Sequence, residues 1–82
     1  MSSPHTRATE LASLLAHALA TTPHQDVSEH RIRIEAEVPD GLDETLRRTM
    51  LTSLNSTADR FGHELKDGRS IIWAELDREN PQ

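Results

Sequence analysis

"GHELKDGRSIIWAEL", residues 62–76, holds the choice that decides the fold. Gly62 can end a preceding helix, or that helix can run on to Gly68, because Leu65 fits its apolar stripe either way. Asp67-Gly68 points elsewhere, since Asp-Gly is a favoured two-residue hairpin turn. With that turn, Lys66 faces Arg69, Leu65 faces Ser70, Glu64 faces Ile71 and His63 faces Ile72. Leu65 then shares a face with Ile72, Ala74 and Leu76, while Glu64 and Lys66 take the other. Apolar residues meet apolar residues without adjustment, so the pattern predicts a hairpin.

Working backward, "GLDETLRRTMLTSLNSTADRF", residues 41–61, reads as an amphipathic helix. Leu42, Leu46, Met50, Leu51, Leu54, Ala58 and Phe61 form its stripe. Asp40 is placed to cap it, and Asp43 and Glu44 suit its first turn. Asp43 with Arg47 and Glu44 with Arg48 have the spacing of stabilising ion pairs. Before it, "HRIRIEAEV", residues 30–38, alternates Ile32, Ile34, Ala36 and Val38 with Arg31, Arg33, Glu35 and Glu37, as a half-buried strand does. The polar run 21–30, broken by Pro23, reads as a loop. Residues 4–21 read as a first helix capped by Ser3, with Pro4 at its first position and Ala8, Leu11, Ala12, Leu14, Leu15, Ala18 and Leu19 on one side.

The expected fold is therefore α+β, a two-layer α/β sandwich in the order α-β-α-β-β. Its three strands form a mainly antiparallel sheet in the order 1-3-2, with both helices on one face. Residues 1–77 make one domain, and 78–82 are expected to form a disordered tail. A chain of 82 residues buries only about 60% of its unfolded surface, so a lone copy is marginally stable. There is no cysteine, hence no disulfide and no thiolate metal site, which fits a reducing cytoplasm. No apolar run approaches a membrane span, and "MSSPHTRATE" lacks the plan of a secretory signal. A formal net charge of −5 disfavours non-specific binding to nucleic acid or anionic lipid. Lys66 is the only lysine; many arginines and alanines are the usage of a high-GC bacterial genome.

Trp73 is the only tryptophan, and it falls on the face opposite the core, with Ile71 and Glu75. Three explanations compete. In the hairpin register the indole covers Gly62, an aromatic cover for a strand glycine. Alternatively the first helix crosses the back of the sheet and buries it, although Arg31, Arg33, Glu35 and Glu37 would then be costly to cover. Or the face stays open, and Ile71, Trp73, Arg31, Arg33, Glu35 and Glu75 form an apolar centre with a charged rim, the composition of an interface. A two-fold homodimer is the default occupant.

Other chemistry finds little footing. No nucleophile elbow, phosphate loop or paired base is present, so no catalytic residue and no cofactor are expected. His24, Asp26, Glu29 and His30 are metal-ligand types crowded into seven residues, without the firm four-ligand spacing of structural zinc. His63 points toward the core edge, with Asp59 as a candidate partner. Arg31, Arg33 and Trp73 offer a small stacking and charge patch for nucleic acid, opposed by Glu35, Glu37, Glu64 and Glu75 on the same face. The strand–helix–hairpin order with a sheet-face tryptophan resembles dodecins, small oligomeric ligand-binding proteins. Their flavin-binding signature is missing here and the N-terminal helix is an addition, so no family is assigned. The sequence thus points to a small, non-enzymatic, cytoplasmic interaction or regulatory module. A nucleic-acid-associated protein is the alternative, and a small-ligand or metal carrier comes after it.

Overall fold

A computed structural model describes residues 3–78. Ser3 caps α1 (Pro4–Leu19), its hydroxyl accepting from the Thr6 N–H at 3.1 Å. The helix stops two residues short of the expected Thr21, because Ala20 takes a left-handed conformation, φ 53°, and turns the chain before Pro23. Ala8, Leu11, Leu15 and Leu19, the heart of the expected stripe, are buried.

The expected loop 21–30 is corrected next. Residues His24–Val27 form a strand, β1, antiparallel to β2 (Arg31–Glu37). Ser28 closes the intervening turn: its N–H donates to the Arg31 carbonyl, and its hydroxyl accepts from the Arg31 N–H at 3.2 Å. β1 is exposed throughout, so main-chain pairing holds it and no apolar pattern announces it.

The second helix, α2, is also shorter than 41–61 and spans Glu44–Thr57. Asp43, not Asp40, is its cap, accepting from the N–H groups of Thr45 and Leu46 at 3.2 and 3.3 Å. Among the described residues neither Asp43–Arg47 nor Glu44–Arg48 closes into an ion pair; every pair formed lies on the sheet. Phe61 leaves the helical stripe and joins β3 (Arg60–Lys66). Of the stripe proper, Met50 and Leu54 are buried, while Leu46 and Leu51 are exposed.

The hairpin forms in the expected register. Asp67 and Gly68, φ 53° and 75°, make the primed turn that matches strand twist. β3 pairs with β4 (Arg69–Asp77) as Leu65 with Ser70, His63 with Ile72 and Gly62 with Trp73. The sheet thus has four strands rather than three, all antiparallel, in the order β1-β2-β4-β3. The element order is α-β-β-α-β-β. The three expected strands keep their expected neighbours, and β1 is added at one edge. Both helices lie on one face and share a core with Ile32, Ile34, Ala36, Ile72, Ala74 and Leu76. Arg78, at the boundary of the expected tail, donates from its N–H to the His30 carbonyl and from its guanidinium to the Ser28 carbonyl. Residues 79–82 of that tail lie outside the described residues.

Candidate interaction surface

The face of the sheet away from the helices is built by the odd-numbered residues of β2 and β4. Directly opposed residues in an antiparallel pair share a face. The register therefore lays rows across it: Asp26, Arg33, Glu75, Arg60; then His24, Glu35, Trp73, Gly62; then Glu37, Ile71, Glu64. All six residues expected at an interface, Ile71, Trp73, Arg31, Arg33, Glu35 and Glu75, sit on this one face. The explanation that buried Trp73 under the first helix is overturned, since α1 packs its buried side chains into the core on the opposite face.

Trp73 is half-buried by its own neighbours. A Cβ built on Gly62 would lie 2.7 Å from the indole Cζ2, so the ring occupies the space that glycine leaves open. The Arg33 guanidinium carbon stands 4.8 Å from the ring centroid, a cation–π distance. Arg33 therefore bridges the apolar centre and the charged rim.

Glu75 is the hub of that rim and is only 8% exposed, although no helix covers it. Arginines do the covering. Arg33 donates to one carboxylate oxygen at 3.0 Å, and Arg60 and Arg31 reach the other at 3.1 and 3.5 Å. Burial pushes the Glu75 carboxyl up, but hydrogen bonds from Arg60 and Arg33 and the charges of Arg31 and Arg33 outweigh it, leaving the group below its usual range. Arg60 also clasps Asp77. That hydrogen bond is the main cause holding Asp77 low and raising Arg60. Arg33 further reaches Glu64 at 3.4 Å and Glu35 at 3.5 Å.

Arg60, Asp77 and Glu64 belong to this network and were not among the expected interface residues. The signal was available: extending the hairpin register two residues past Gly62 sets Arg60 against Glu75. Running the helix to residue 61 hid it. Asp59, proposed as a partner for His63, instead accepts the Asp77 N–H at 2.6 Å. His63 lies on the helix face opposite Ile72 and is exposed rather than tucked in. Of the candidate metal ligands, His24 and Asp26 ride on β1, while Glu29 and His30 sit in the turn that follows. Among the described residues no three such side chains converge. Arg31 and Arg33 direct their charge at Glu75, and Arg69 approaches Glu37 at 3.8 Å, so the basic patch is neutralised within the face. No described helix is long and apolar enough to cross a membrane.

No protein-family model, curated protein or solved structure matches the chain.

Proposed function

We propose that the protein is a small non-enzymatic interaction module, working in the reducing cytoplasm that its cysteine-free sequence suits, and that it associates with a second copy of itself through the sheet around Trp73. One observation carries this reading. Both helices pack on the same side of the sheet, so the only tryptophan, with Ile71 beside it, is left on a face that no helix or strand among the described residues covers. The rim is self-complementary in kind: three arginines alternate with Glu35, Glu64, Glu75 and Asp77. A surface of interleaved opposite charges can set cation against carboxylate when it meets a copy of itself about a two-fold axis.

Sedimentation equilibrium tests the reading. The expected result is a concentration-dependent dimer, with Trp73→Ala costing about 2 kcal/mol or more in association, the scale of a hot spot. A wild-type chain that stays monomeric at high micromolar concentration ends it. Single-strand binding on Trp73 and Arg33 is the second reading, favoured by their stacking. It predicts binding that weakens steeply with salt, which an apolar contact does not.

A further inference from the structure

The exposed apolar residues are not spread evenly. Among the described residues five large ones are exposed, and four of them, Leu46, Leu51, Phe61 and Leu65, belong to α2 and β3. Leu65 is 76% exposed. β3 is also an open edge of the sheet, seven residues long and without proline, with its charged residues Arg60, Glu64 and Lys66 all on the face away from the helices. An open edge of this length offers its main chain to another strand, and its charged face selects which strand and register it accepts.

The hydrogen-bonding direction of that edge follows from the ladder. The Ser70 carbonyl accepts from Val38, so Ser70 turns toward β2. Alternation then turns Ile71 and Trp73 toward β3, where they meet Glu64 and Gly62. Phe61, His63 and Leu65 consequently direct their N–H and C=O groups outward.

We propose that two copies pair β3 against β3, antiparallel, about a two-fold axis through Gly62 and perpendicular to the sheet. This rests on the self-association reading and specifies its geometry. The register follows from charge. Centring the axis on His63 sets Arg60 against Lys66 of the second copy, two cations. Centring it on Glu64 sets the two Glu64 carboxylates together. Centring it on Gly62 sets Arg60 against Glu64 of the second copy on both sides of the axis, and Phe61 against His63. Like charges directly opposed are destabilising and opposite charges stabilising. Arg60 and Glu64 keep 45% of their side chains exposed, enough to be shared.

The same axis gives Trp73 a role beyond covering one glycine. Gly62 meets Gly62 of the second copy at the close, non-hydrogen-bonded spacing, about 4.5 Å between Cα atoms. Each indole already lies over its own Gly62, so two indoles come together over the paired glycines. A side chain at residue 62 would block that approach. On the helix face, Phe61 and Leu51 are brought toward the second copy, which removes from water the apolar surface that α2 leaves uncovered.

Two variants and one direct measurement test this. His63→Pro deletes an outward N–H while sparing the β3–β4 ladder, since proline is tolerated on an edge strand facing solvent. Glu64→Arg opposes cation to cation in the register. Each is expected to raise the dimer dissociation constant by roughly tenfold or more, with unchanged circular dichroism. In a dimer of mixed isotope labelling, an intermolecular NOE between the α-protons of the two Gly62 residues is expected. A monomeric wild type removes the self-association reading and this geometry together. A wild-type dimer that both variants leave equally tight, or that lacks the Gly62 NOE, overturns the edge geometry alone and leaves back-to-back sheets. If His63→Pro fails to fold, Glu64→Arg and the NOE decide.

Discussion

The indole of Trp73 fills the space that the missing side chain of Gly62 leaves, with 2.7 Å between its Cζ2 and the position a Cβ would take. The atom in the way is part of a rigid ring that also carries the Arg33 guanidinium, 4.8 Å from its centroid. Gly62→Ala is therefore expected to destabilise the fold by about 1–3 kcal/mol, the cost of overpacking. Urea denaturation measures it. In a Trp73→Ala background the same substitution should be nearly neutral, because the clash has gone. Equal costs in both backgrounds would show that the ring does not constrain residue 62.

Acid should loosen the charged face. Glu75 and Asp77 both have folded values below their unfolded ones. A depressed carboxylate contributes stability that is present in full above its unfolded value, about pH 4, and is lost as pH falls through the folded value. Urea midpoints should thus hold steady from pH 7 to pH 5 and fall below pH 4. Glu75→Gln should flatten that fall. It should also cost about 1–3 kcal/mol at pH 7, since three arginines lose a charged acceptor. An unchanged acid slope in the variant would count against Glu75 as the hub.

The two candidate caps of α2 can be separated. Asp43→Ala should destabilise by about 1 kcal/mol, because its carboxylate accepts two helix N–H groups. Asp40→Ala should fall within about 0.5 kcal/mol of wild type, as exposed substitutions do. Thermal unfolding of the pair gives the answer, and a reversed order would return the helix start to residue 41.

Two leucines three residues apart on α2 should behave oppositely. Leu54 is fully buried, and Leu54→Ala should cost about 2–5 kcal/mol. Leu51 is exposed, so Leu51→Ala should change intrinsic stability by less than about 0.5 kcal/mol. If Leu51 is covered on association, its effect will appear only at concentrations where the dimer forms.

These contrasts also mark what the sequence could and could not disclose. The hairpin was legible because two signals agreed, a turn dipeptide that demands positive φ and a register that sorted Leu65 from Glu64. Strand 31–37 was legible from strict alternation. β1 was not, because an edge strand wet on both faces has no apolar periodicity, and only its pairing with β2 defines it. The end of α2 was misread because Phe61 satisfies a helical stripe and a strand face equally well. That one misreading concealed Arg60 as a partner of Glu75. The face of Trp73 could be named from alternation alone, but the role of Arg33 as a stacked bridge needed the fold.

Arg78 fastens the end of β4 to the turn between β1 and β2, at the corner farthest from the Asp67–Gly68 turn. β4 between these two corners has nine residues, roughly 30 Å at about 3.3 Å each. The strand is thus a fixed ruler, pinned at both ends. Dyes attached at Glu29 and at Lys66, the only lysine, both exposed and beside these two corners, would read a constant separation within one copy. In an antiparallel edge pair, the Gly68 corner of one copy lies alongside the opposite end of the other. Energy transfer between singly labelled copies would then report assembly in real time, without any change to the residues that bring it about.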